Sequence, residues 1–227
     1  VTEDFTAKVL DSSTIAAGPI ASASNRYGIH VLSGGTYTGA IQNGDTGVIT
    51  VEGLNSAGIA VDSTLAGTLT NTGTITVKGD NSVGIRTAAV TGDVLAGGTI
   101  STVGQGSQAV VVGGDVGGIV KLNGGISQSY TYTADDSTTQ TLSRTALQTG
   151  KALVEVDGNV AGGVVVYAPL TSSSTDTSRG VLQAYGNGPA LQIGGTRDIT
   201  IGGGTTVAGT YSLGIDGSRV ATTGTSA

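Results

Sequence analysis

The feature that most restricts what this chain can become is a unit that repeats. It reads NSAGIAV at 55–61, GTLTN at 67–71 and GTITVKG at 73–79, and it begins again as NSVGI at 81–85. Each piece alternates aliphatic with small or polar residues and closes on Gly, Asn or Asp, the pattern of a short half-buried strand ended by a turn. Three such strands and three turns in about 25 residues describe one coil of a right-handed parallel β-solenoid, an all-β array that grows by adding coils.

The unit can be followed along the chain by its opening strand. Gly28, Gly58, Gly84, Ala109, Leu153, Ala190 and Gly214 occupy a slot that is small in six of seven instances. Ile29, Ile59, Ile85, Val110, Val154, Leu191 and Ile215 follow at once, and two residues further on stand Val31, Val61, Thr87, Val112, Val156, Ile193 and Gly217. The inward face therefore has the period of two that a strand requires. Spacings of 30, 26, 25, 44, 37 and 24 residues predict about seven coils over 24–227, with insertions in the two long intervals.

The first insertion, 127–148, alternates Tyr, Thr and Leu with polar residues on both sides of Ala134, Asp135 and Asp136, as a β-hairpin would. The second, 168–178, is a Ser/Thr-rich loop. Between them the period resumes, and AVVVGGDVGGIV at 109–120 aligns without gaps on LVEVDGNVAGGV at 153–164. Residues 1–23 hold strand-like pieces around Val9 and Ile15 without the full unit, and are expected to form an N-terminal cap or partial coil. Nothing comparable closes the other end, so the native chain is expected either to continue past Ala227 or to meet another copy there. A chain that opens on Val1 is expected to be processed or part of something longer.

Asn25, Asn55, Asn81 and Asn187 each stand three residues before the small slot. Asn tolerates the left-handed backbone of tight turns, and stacked Asn side chains can bond to one another along an axis, so these four are expected to form a structural turn ladder.

Composition agrees with a narrow aliphatic interior: 40 of 227 residues are Gly, and the chain has one Phe and no Trp. The 10 basic and 16 acidic residues leave a net charge of −6 with no basic stripe, which excludes nucleic acid as an expected partner. Without Cys, neither disulfides nor thiolate metal sites can hold the fold. No apolar run is long enough for a transmembrane helix.

The inventory for catalysis is thin, and no enzyme, metal or cofactor is expected. His30 is the only histidine, and between Ile29 and Val31 it is expected to point outward into solvent. Asp135 and Asp136 read as turn formers rather than as an acid and base pair. Asp62, Asp93, Asp115, Asp157, Asp198 and Asp216 follow the slot at unequal distances, whereas a calcium array needs ligands recurring at one site per coil. Thr50 and Thr76 face outward from equivalent ITV strands, but two rungs are a poor match to an ice lattice. Tyr130, Tyr132, Tyr167 and Tyr185 lie in or beside the insertions, where covering the flank of the rod is the first role expected of them and a modest binding surface the alternative; Tyr130, Tyr132, Asp135, Asp136 and Tyr167 are the candidate surface-contact residues.

The NSxGI, GxIxN and GTITVxG units, together with GGDVGGIV and DGNVAGGV, resemble the β-helical passenger regions of bacterial autotransporters and related large surface exoproteins. The resemblance covers about residues 25 to 220. It implies an extracellular location at the bacterial outer-membrane surface, with a signal peptide and a membrane-anchoring barrel supplied by other segments. The function so implied is a structural or adhesive solenoid, self-associating into a fibre or forming part of a longer stalk. A module that binds glycans or a host surface is the alternative, and a polysaccharide-active enzyme on a β-helix is third.

Overall fold

The computed structural model describes residues 23–133, 137–143, 145–147, 149–167, 180–195, 197–206, 209–211, 213–216 and 219–223, with backbone alone at 145, 167 and from 204 onward. The expected cap lies outside the described residues except for Ala23, whose carbonyl already accepts a hydrogen bond from the Leu54 amide. The second insertion, 168–178, lies outside them as well.

The strands stack in coils and form three parallel six-stranded sheets. The first sheet runs Tyr27–Val31, Ala57–Val61, Val83–Thr87, Gln108–Val112, Val154–Val156 and Leu191–Ile193. The second runs Ile41–Asn43, Leu69–Asn71, Val94–Ala96, Val120–Leu122, Val164–Tyr167 and Leu213–Asp216. The third runs Val48–Glu52, Thr74–Lys78, Thr99–Val103, Gly125–Gln128, Val181–Tyr185 and Arg219–Thr223. A fourth column of single parallel bridges marks the remaining corner, joining Leu65, Val90, Val116, Val160 and Ile201 in turn. No described helix is long and apolar enough to cross a membrane.

Three sheets of six strands mean six coils among the described residues, and the expectation of seven is corrected at the C-terminal end. Leu213, Gly214 and Ile215 carry the small-then-aliphatic signature of an opening strand, yet they pair with Val164, Val165 and Val166 of the second sheet. A two-stranded antiparallel hairpin, Gly204–Thr206 with Gly209–Tyr211, uses up the residues that made the interval look like a full period. The fifth coil follows the gapless alignment: Val110 pairs with Val154, Val116 with Val160 and Val120 with Val164.

The interior is a set of aliphatic columns. Ile29, Ile59, Ile85, Val110, Val154 and Leu191 form one, and Ile49, Ile75, Ile100, Ile126 and Leu182 face them from the third sheet. Most are fully buried, and burial of each such side chain contributes roughly 1.5–3 kcal/mol before chain entropy is counted. The small slot has a steric cause. A Cβ on Gly58 would lie 2.5 Å from Cγ2 of Ile75 and 2.6 Å from the carbonyl oxygen of Gly84, an approach that backbone cannot yield to.

The first insertion leaves after Gln128 and returns as an antiparallel hairpin, in which Thr131 pairs with Thr141, Tyr132 with Gln140 and Thr133 with Thr139. Register survives both insertions: Ile126 still pairs with Leu182 and Ser127 with Gln183.

Candidate functional site

The turn before the first sheet is where the repeated Asn-Ser pair acts. Asn25, Asn55 and Asn81 take the left-handed backbone, with φ of 58°, 50° and 54°. The fourth and fifth coils place Gly106 and Gly150 at the same point, with φ of 67° and 71°, glycine substituting for Asn because it carries no Cβ penalty. Asn187 departs from this ladder. It is absent from the left-handed residues, the positive φ passing to Gly186 at 108°, and its side-chain oxygen instead accepts a hydrogen bond from the Gly150 amide at 2.8 Å.

Among the described residues no hydrogen bond joins the Asn side chains of this ladder. After Asn55 and Asn81 the following serine makes the connection between coils. Ser56 Oγ accepts from the Arg26 amide and Ser82 Oγ from the Ser56 amide, both at 3.0 Å, while Ser82 Oγ donates to the Gly53 carbonyl at 2.8 Å. Sequence reasoning missed these serines, although their signal was the serine that follows both Asn55 and Asn81. The Asn side chains that do bond along the axis are inside the second sheet. Asn43 Nδ2 donates to Asn71 Oδ1 at 2.7 Å, and Asn71 Nδ2 donates to the Gly97 carbonyl at 2.6 Å.

Two of the unevenly spaced aspartates, Asp93 and Asp115, share a task with Asp80 of the Asn81 turn. The carboxylates of Asp80, Asp93 and Asp115 accept hydrogen bonds from the amides of Gln105, Ile119 and Asn159 in the following coil, at 2.7, 3.0 and 2.9 Å. Asn159 repeats the contact to the Thr200 amide at 2.8 Å. Bonds from Asn159 and the Arg197 guanidinium hold the Asp115 carboxyl below the usual range. Asp93 is further paired with Lys121 at 3.3 Å. No group of three potential metal-ligating side chains exists among the described residues.

His30 is the clearest departure from expectation. It does point outward, but Nε2 donates to Asp62 Oδ2 at 2.7 Å, and the same carboxylate receives Arg86 through Nε at 2.9 Å and Nη2 at 2.7 Å. Tyr27 stacks on the imidazole with ring centroids 3.9 Å apart, and the Arg86 guanidinium stands 5.4 Å from the Tyr27 centroid. The cluster forms because parallel register puts His30 opposite Ala60 and Ala60 opposite Arg86, leaving the small Ala60 buried beneath the two long side chains. The Arg86 bonds, opposed by partial burial and helped by His30, lower the Asp62 carboxyl. A bidentate Arg–carboxylate pair with an imidazole on its second oxygen is a clasp over three coils; every polar atom of the carboxylate is already engaged.

The tyrosines separate into different environments. Tyr132 is only 7% exposed, tucked between the hairpin and the third sheet, where burial and then the charge of Glu52 push its phenol up. Lys78 Nζ reaches the hairpin at the Thr133 carbonyl, 3.3 Å away. Tyr130, by contrast, is 41% exposed and meets Tyr185 edge to face, the centroids 4.9 Å apart at 61°. Gln183 Nε2 donates to the Tyr185 hydroxyl at 2.7 Å. The contact residues expected from sequence are thus divided: Tyr130 is accessible and paired with Tyr185, Tyr132 serves as the hairpin's anchor, and Asp135, Asp136 and the Tyr167 side chain lie outside what is described.

Comparison with protein-family models, with curated proteins and with solved structures finds no match to this chain in any of the three.

Proposed function

We propose that this chain is an extracellular structural and adhesive β-solenoid of a bacterial surface protein, a rod that holds its inserted hairpin away from the cell and associates with further copies of itself. The observation that carries the reading is the register kept between Gly125–Gln128 and Val181–Tyr185 across two insertions. A rod that can accept an insertion at a corner without shifting its sheets is suited to display, since the presented segment is free to vary while the shaft is not. Self-association has a physical basis at the end of the stack for which no cap is expected, in the strands Leu191–Ile193, Leu213–Asp216 and Arg219–Thr223, which pair on one side only among the described residues and so offer edge amides and carbonyls to another chain.

The test of location is an epitope placed between Thr133 and Ser137 and probed with antibody on intact cells of the source bacterium. Labelling without permeabilisation is the expected result. Labelling that needs permeabilised cells would remove the extracellular reading. Electron microscopy of the isolated protein tests association: filaments are expected, and rods that stay single at all concentrations would limit the role to that of a monomeric shaft.

A further inference from the structure

Tyr130 poses a physical question. A large aromatic ring that is well exposed gains little from burial, yet here it is held in place rather than left to move. Ser129 Oγ donates to the Thr131 carbonyl at 2.6 Å and accepts from the Thr131 amide at 3.2 Å, and the Tyr130 carbonyl accepts from the Leu142 amide at 2.8 Å. Backbone on both sides of Tyr130 is therefore fixed. The ring itself packs against Tyr185, the centroids 4.9 Å apart at 61°, and Tyr185 is fixed by Gln183. An exposed ring fixed in this way is preorganised for a ligand, because ordering it on binding costs little further entropy.

The surroundings define the ligand. Outward positions of the third sheet in coils three to five are Thr99 and Ser101, Gly125 and Ser127, then Val181 and Gln183, in register. None of the six is charged, and the side chains of Thr99, Ser101 and Ser127 make no hydrogen bond within the described structure. On the same sheet Lys78 is engaged by the Thr133 carbonyl, and Arg219, in register with Val181, stands four residues along its strand from Thr223, the partner of Tyr185. A ring face flanked by uncharged hydroxyl and amide groups matches a molecule with an apolar C–H face and a hydroxylated rim. Partially positive C–H groups favour the negative face of the phenol ring, and the rim hydroxyls can exchange hydrogen bonds with Gln183 and Ser127.

We propose that the Tyr130–Tyr185 corner is a binding site for a neutral saccharide, one sugar ring stacked on Tyr130 and the chain continuing over the hydroxyl-bearing outer face of the third sheet. Its role is binding, and among the described side chains the groups that line it are phenol, hydroxyl and amide. It goes beyond display, and it holds for the isolated protein whatever its location, so its failure and the failure of the extracellular reading are distinguishable.

The experiment uses the full chain against immobilised gluco-, galacto-, manno- and xylo-oligosaccharides, with polygalacturonate as the acidic comparison. At least one neutral series is expected to bind. Tyr130→Ala should weaken that binding by about tenfold and Gln183→Ala by about threefold, the size of losing a stacked ring or one hydrogen bond. Tyr130→Trp should retain it, and His30→Ala, on another face, should leave it unchanged. Circular dichroism of each variant establishes that the rod is intact, and Tyr130→Trp keeps the test valid if the alanine variant misfolds. The proposal is overturned if no neutral oligosaccharide binds, if Tyr130→Ala binds as the parent does while folded, or if polygalacturonate is preferred.

Discussion

The buried amide pair inside the second sheet gives the sharpest test of how the coils hold together. Asn71 is fully buried and makes three side-chain hydrogen bonds: it accepts from Asn43 Nδ2 at 2.7 Å and donates to the carbonyls of Gly97 at 2.6 Å and Gly73 at 3.3 Å. At a net ~1 kcal/mol per bond, Asn71→Ala should cost about 3 kcal/mol, with up to ~1 more because Asn43 is left a buried donor lacking its best acceptor. Asn43 keeps only long contacts to the carbonyls of Thr74 at 3.4 Å and Gly47 at 3.5 Å, so Asn43→Ala should cost less, roughly 1–2 kcal/mol. The double variant should then cost less than the sum of the singles by about 1 kcal/mol, since the shared bond is lost only once. Apolar side chains already fit this column, where Asn71 is followed by Ala96 and Leu122, so packing should not obscure the result. Urea unfolding followed by far-ultraviolet circular dichroism measures all four proteins, with unchanged m-values required for the comparison. Strict additivity, or a cost for Asn71→Ala below about 1 kcal/mol, would refute the claim that a polar interior ties these coils together.

Other substitutions probe other parts of the rod. Asp62→Asn should destabilise by about 1–2 kcal/mol at neutral pH, as a partly exposed bidentate pair warrants. Because the Asp62 carboxyl is lowered in the fold, that difference should be complete above the unfolded carboxylate value near 3.8 and should vanish as pH falls through the lowered folded value; a difference that disappears near pH 6 instead would contradict the clasp. Thr87→Val should raise the thermal midpoint, since the Thr87 hydroxyl is buried without a partner in a column whose neighbours are Val61 and Val112, and a gain of about 1 kcal/mol is the expected scale. Gly58→Ala should cost roughly 1–3 kcal/mol from its contacts with Ile75 and the Gly84 carbonyl, and a neutral outcome would mean that the small slot is not sterically set.

What could be read from the sequence was what recurs at each level of the stack. The opening column was legible because Ile29, Ile59 and Ile85 each follow a glycine, with Val31, Val61 and the β-branched Thr87 two places on, and parallel register repeats that pattern in space. The same economy explains the error in coil number. Inward faces of all three sheets demand alternating aliphatics, so Leu213 to Ile215 suit the second sheet as well as the first, and only the Gly204–Tyr211 hairpin decides between them. The His30 clasp was not legible for a different reason. Its partners stand 32 and 56 positions away in sequence, and each looks like an ordinary outward residue until Ala60 is known to lie between His30 and Arg86. Likewise the tyrosines were found as a group, while their division into the anchor Tyr132 and the accessible Tyr130 depends on how the hairpin lies against the third sheet, which no local pattern specifies.

Parallel stacking also fixes how such a rod answers to force. Every ladder in the three sheets points its hydrogen bonds from one coil to the next, so tension spread over the whole cross-section must stretch all three ladders of a boundary together. Tension applied to a chain end meets one strand at a time and can draw Tyr27–Val31 off Ala57–Val61 before the third sheet is loaded. A tether gripping the broad face of a coil would therefore survive loads that unravel the same molecule when it is pulled by its terminus.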